Sequence, residues 1–168
     1  MNTKHVRIVQ ASIISMVALY ATFVFLGNLM DYNSNYEYVR HVLSMDTTFP
    51  GNDLTWRAII DPTLQTIAYW GIILTEGLIA VFAWMSGIKM FRSLHARPTT
   101  FAHTKRFGLI ALMLGLLLWF VGFICIGSEW FAMWQSEIWN GKDTAMNIVQ
   151  ILGIFLIIYL LPDGSEKK

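Results

Sequence analysis

The chain has 168 residues, a hydrophobic fraction of 55%, only 14% charged residues and a formal net charge of +1. Its mean hydropathy of +0.51 exceeds what a soluble domain of this length needs and marks an integral membrane protein; the near-neutral charge leaves no electrostatic case for nucleic acid. The lone Cys125 excludes an intrachain disulfide, CxxC redox chemistry and a zinc finger.

Four long apolar runs organise the chain. The first, Ile8–Met30, carries no formal charge and makes about 34 Å of helix against a hydrocarbon core of roughly 30 Å. It follows Lys4 and Arg7 as a signal peptide would, but it exceeds the typical apolar core of about 7–15 residues, and Phe25–Leu29 offers no small-x-small cleavage site. It is therefore expected to be a retained helix.

The first loop, residues 31–65, contains Tyr36, Val39 and Leu43 at i, i+3, i+7, which predicts a short amphipathic helix over the mouth of the bundle. Thr47–Asn52 reads as a turn, with Asn52 or Asp53 capping a short segment from Trp56 to Ile60. Asp61 followed by Pro62 predicts an N-cap and first-turn proline for the next helix.

The second run, Thr66–Ile88, has a carboxylate near its midplane, Glu76. A charge there costs about 2.5–3.5 kcal/mol on insertion scales, so Glu76 is expected to face the bundle interior. Tyr20 at similar depth in the first run and Gln150 in the fourth are its candidate partners, with Asn147 a further intramembrane polar group. An interhelical hydrogen bond is one role for Glu76 and a proton or cation relay the other. One carboxylate makes a poor conduction path. Gly71 with Thr75, and Ala83 with Gly87, form small-xxx-small pairs suited to close helix approach.

The third run, Phe107–Gly127, places Gly108, Gly115 and Gly122 at intervals of seven, with Cys125 expected as a small packing residue. The third loop is the most unusual stretch, from Glu129 to Gly141. Trp130, Trp134 and Ile138 are four apart and are expected to share a helical face, flanked by Trp139 and by the polar handles Glu129 and Gln135. One reading is an interfacial aromatic belt. The other is a surface for a quinone, a lipid or a partner subunit, with His41 on the same side. The fourth run is Thr144–Leu161.

Charge sets the topology. Lys4, Arg7, Lys89, Arg92, Arg97, Lys105, Arg106, Lys167 and Lys168 fall on one side, and Arg40, Arg57 and Lys142 on the other. The positive-inside rule then places both termini in the cytoplasm and loops one and three outside.

No catalytic signature accompanies this plan. HExxH, GxSxG, Walker A and GxGxxG motifs are all missing, and the four histidines lie outside the runs, which removes an intramembrane bis-histidine haem. Glu37, His41 and Asp46 could gather near one face of the outer helix, but residues of such common types at loose spacing assign no metal. No cofactor is expected.

Tyr32-Asn33-Ser34-Asn35, Val39 through Thr48, Trp56-Arg57-Ala58 and the stretch Glu129–Ser136 followed by Trp139-Asn140-Gly141 resemble a bacterial family described as predicted small integral membrane proteins and filed as a domain of unknown function. The resemblance spans essentially the whole chain. It implies a four-helix protein of the bacterial inner membrane, and it brings no catalytic role.

The expected fold is all-α: a four-helix transmembrane bundle, helices at about 8–30, 66–88, 107–127 and 144–161, with an outer cap built from loops one and three. The expected role is non-enzymatic, structural or accessory, with an aromatic outer face that binds a partner, a lipid or a second copy. An oligomeric transporter or proton-coupled channel using Glu76 is the alternative, and a quinone-binding accessory subunit of a redox enzyme the third. The lipid bilayer is the expected partner, with a homo-oligomer or a larger membrane complex as settings the sequence leaves open.

Overall fold

A computed structural model describes residues 3–163, so Lys167 and Lys168 of the topology argument lie outside the described residues. Among them there is no strand. Helices α1 (Thr3–Met30), α2 (Tyr32–Ser44), α3 (Pro62–Arg92), α4 (Pro98–Thr104), α5 (Arg106–Leu116) and α6 (Lys142–Leu160) follow in order, with single 3-10 turns at Thr55–Arg57 and Met133–Gln135. Four segments are long and apolar enough to cross a membrane: Thr3–Met30, Pro62–Arg92, Pro98–Trp130 and Lys142–Leu160. Three of them start well before the apolar runs, because polar residues at a helix end cost nothing in water.

The third span is not one α-helix. It breaks at Lys105, resumes as α5, and from Leu117 to Trp130 continues as a π-helix. The Phe131 N–H donates to the Ile126 carbonyl, five residues back, at 3.0 Å. Such wide turns normally occur as single-turn bulges, so fourteen residues of them are unusual. The wider turn changes which residues share a face. Cys125, expected in the packing, is exposed.

The chain divides into two compact units. The first takes the described residues of Met1–Phe25, Glu76–Gly115 and Ile151–Lys168. Ala11, Ile14 and Ala18 of α1, Ile79 and Ala83 of α3, and Ala111 and Leu112 of α5 are fully buried there. Small residues let backbones approach, which matters where lipid gives little hydrophobic drive for association. The Gly108 Cα lies directly against the Tyr159 hydroxyl, a contact that any Cβ would obstruct. That hydroxyl donates to the Lys105 carbonyl at 3.0 Å and lies 2.9 Å from Ser86 Oγ, which donates to the Thr104 carbonyl at 2.7 Å. Side chains of α3 and α6 thus serve the backbone at the α4–α5 break.

Two polar side chains close the same unit at the helix ends. Gln10 Nε2 donates to the Leu161 carbonyl at 2.8 Å and shares its other N–H between the Ile158 and Tyr159 carbonyls, both at 3.2 Å, at the end of α6. Arg7 is 3% exposed. It pairs with Asp163 at 2.6 Å, donates to the Leu94 and Ala96 carbonyls, and stacks over Phe101. In the sequence it reads only as a topology charge; in the fold it ties the α3–α4 connection to the end of α6.

The second unit takes Leu26–Thr75 and Leu116–Gln150. Val39 and Leu43 of α2 are buried, as the amphipathic spacing predicts. Asp61 Oδ1 accepts the N–H groups of Thr63 and Leu64 at 2.7 and 3.1 Å, capping α3 at Pro62; these bonds hold its carboxyl below the ordinary value. Gln65 bridges Ser44 Oγ and the Ile59 carbonyl, and the Tyr69 hydroxyl donates to the Asn28 carbonyl. Met45 ends α2 in the left-handed region, φ 54°, a conformation usually given to glycine; burial of its side chain to 3% exposure offsets the strain.

Gly108→Ala is expected to lower stability by about 1–3 kcal/mol through overpacking against Tyr159. Because the nearest atom is the phenolic oxygen, Tyr159→Phe should relieve part of this loss. Unfolding of the two single variants and the double variant in micelles measures the coupling; strictly additive losses would contradict the contact.

Candidate functional site

The aromatic loop carries its side chains on an irregular backbone. Helical structure ends at Trp130, Ala132 turns into the left-handed region at φ 51°, and one 3-10 turn precedes an extended Ser136. Trp130, Trp134 and Ile138 therefore do not share a helical face, because the helix ends between the first two and Ala132 leaves the helical region. All three are still exposed, Ile138 at 76%.

Side-chain hydrogen bonds fix this backbone to loop one. Gln135 Oε1 accepts the Phe49 N–H at 3.1 Å and Asn52 Nδ2 at 3.0 Å. Ser136 Oγ accepts the Thr47 hydroxyl at 2.8 Å and the Trp139 N–H at 2.9 Å. The Arg57 guanidinium lies over Trp130 at 4.4 Å and Trp56 at 5.3 Å and donates to the Trp130 carbonyl. Phe49 packs edge-on against Trp134 at 5.8 Å. Glu129 contributes an exposed pair with Lys142 at 3.4 Å, a geometry worth little in solvent.

His41 joins the same region by stacking on Trp139, ring centres 4.7 Å apart and nearly parallel. Its Nδ1 lies 2.9 Å from both Asp46 carboxylate oxygens and its Nε2 2.7 Å from Arg40 Nη2. A guanidinium can only donate, so Nε2 accepts and the proton resides on Nδ1, donated to Asp46. Arg40 also holds Glu37 at 2.7 Å. Glu37, His41 and Asp46 do gather, as members of an ion-pair cluster around Arg40. Among the described residues no group of three or more His, Cys, Asp or Glu is arranged to hold a metal ion.

Beneath α2 the second unit holds an apolar cavity of about 200 Å³, which sequence periodicity does not foreshadow. Val39 and Val42 of α2, Ala68 and Ile72 of α3, and Leu118 and Phe123 of the π-helical segment form its walls, while Gly122 and Gly127 leave space. Tyr38 supplies the one polar side chain in the lining. Its hydroxyl donates to Met133 Sδ at 2.9 Å and sits against Gly141. Burial pushes this phenol up to about 12 despite a bond from the Gly141 backbone.

The intramembrane polar residues separate by burial. Glu76 is 2% exposed and lies within electrostatic reach of Tyr20, itself 43% exposed. Gln150 and Asn147 are exposed on α6.

An all-α chain with four apolar spans and polar groups served internally by side chains is an integral membrane protein. More specifically, residues 6–162 match the family of predicted small integral membrane proteins, DUF2165, whose function is unknown, and the chain belongs to that family. No curated protein and no solved structure matches it.

Tyr38 makes stability pH-dependent. Its folded value lies above the ordinary 10.0, so the neutral phenol's contribution is complete below pH 10 and is lost as pH rises toward about 12. Unfolding measured between pH 9 and 12 (a range of roughly three units around these values) should show a steeper loss for the native chain than for Tyr38→Phe. Equal slopes would mean that the phenol is solvated.

Proposed function

We propose that the protein is a non-enzymatic structural or accessory component of the membrane, and that the aromatic surface of loops one and three, outside by the positive-inside rule, binds a partner subunit. One observation carries this reading. Large apolar side chains are held outward by a backbone that is itself fixed: Trp56 is 71%, Ile138 76%, Phe49 53%, Trp130 47% and Trp134 44% exposed, while Gln135, Ser136 and Arg57 bind the loops that bear them. A lipid belt needs tryptophans at the right depth but does not need them pre-ordered. Pre-ordering cuts the entropy cost of a specific contact, as in protein interfaces centred on tryptophan and arginine.

A photoreactive amino acid at Trp56 or Ile138 in intact cells is expected to give one discrete protein adduct, lost when Gln135→Ala loosens the loop. Adducts to lipid alone would reduce the surface to an anchoring belt.

Burial of Glu76 to 2% exposure supports the second reading, a transporter or proton-coupled channel. Glu76→Gln preserves shape and hydrogen bonding and should leave thermal stability nearly unchanged, whereas Glu76→Ala should lose about 0.6–1.7 kcal/mol. In proteoliposomes the structural role predicts no pH-driven flux for either the native chain or Glu76→Gln; flux that the Gln variant abolishes would establish the relay instead.

A further inference from the structure

We propose that the cavity beneath α2 is a binding site for a single fatty-acyl chain of a membrane phospholipid. This goes beyond the aromatic surface and does not depend on it. Three observations converge on that occupant.

The first is chemistry. The cavity holds about 200 Å³, room for some six waters at roughly 30 Å³ each, yet its lining offers water one hydroxyl. That hydroxyl, on Tyr38, already donates to Met133 Sδ. A buried water needs two to four polar partners, so water gains nothing by entering. A headgroup, a sugar or a quinone ring would meet the same shortage of donors and acceptors. Hydrocarbon needs none.

The second is how the space is made. The π-helical turns bring Gly122 and Gly127 to the cavity wall, and neither is there because its own surroundings are crowded. A Cβ at Gly122 would meet only Leu118 Cδ1 at 3.9 Å and the Leu117 carbonyl at 4.0 Å, and one at Gly127 nothing closer than 3.5 Å. A Cβ fits at both positions and is missing, so the cavity is kept open.

The third is continuity with the bilayer. Ile126 lines the cavity and is also 46% exposed on the Pro98–Trp130 span, beside exposed Val121 and Cys125. The wall of the cavity is therefore shared with the lipid-facing surface of an integral membrane protein. Acyl chains are the apolar species present there in bulk.

The test uses the full chain reconstituted with a phosphatidylcholine that carries a photoactivatable diazirine on one acyl chain. Peptide mapping after illumination should place adducts on the buried residues Val39 and Leu118, 8% and 7% exposed. Gly122→Leu should reduce those adducts to background, and so should Ala68→Leu, which fills the cavity from α3 should the first variant fail to fold. Gly71→Leu, where nothing lies within 4 Å of the added Cβ, should leave them unchanged. Adducts confined to outward residues such as Phe120, or undiminished in the filled variants, would overturn the proposal. Recovery of an isoprenoid quinone in place of phospholipid from the gently purified protein, lost on cavity filling, would overturn the acyl assignment.

Discussion

A backbone or side-chain polar group taken into lipid is costly unless the protein itself supplies its partner. That requirement explains where the polar residues of the apolar spans go. The α4–α5 break interrupts the helical hydrogen bonding, and Ser86 and Tyr159 supply donors to two of its carbonyls. The end of α6 leaves carbonyls short of donors, and the Gln10 amide lies within 3.2 Å of three of the last ones. These side chains come from helices distant in sequence. Satisfying each interruption therefore also fixes which helix lies against which, something that apolar contact alone does weakly in lipid.

Arginine in this setting does more than set topology. Arg7 and Arg57 differ in surroundings but share a solution: carbonyl acceptors for the fork and an aromatic face for the plane of the guanidinium. Arg7 adds a carboxylate partner and is almost fully buried. Charge counting treats both as solvated cations that orient the chain. The fold uses each as a fastener between segments, a role that a lysine, with no planar fork, could not fill in the same way.

Much of the architecture was legible because it rests on local rules. The four spans follow from apolar length, α2 from the spacing of Tyr36, Val39 and Leu43, and the start of α3 from Asp61 and Pro62. What escaped depends on hydrogen bonding that no side-chain pattern records. A stretch such as Leu117–Trp130 looks α-helical by composition, and only its i to i−5 bonding turns Cys125 outward and opens space at Gly122. The helical face expected for Trp130, Trp134 and Ile138 failed for a related reason: Ala132, an ordinary helix former, adopts a left-handed conformation where Phe131 and Met133 are buried on either side of it. Of the residues singled out for function, Gln135, Trp139 and His41 meet in the same loop region, whereas Gln150 and Asn147 are exposed on α6.

The π-helical segment links the two features of the second unit that bear on function. It ends at the residue whose ring and carbonyl hold Arg57, and its glycines shape the cavity wall. Tyr38 connects the two from the α2 side: it lines the cavity, stacks near Phe123 and packs edge-on against Trp139, which in turn carries His41. An acyl chain in the cavity would press on Tyr38 and Phe123, and through them on Trp139. Occupancy and the order of the aromatic loop are then expected to rise together, because each restricts the same rings. A partner that recognises the ordered loop would in that case bind the lipid-loaded protein more tightly, and by reciprocity of coupling would also hold the lipid in place.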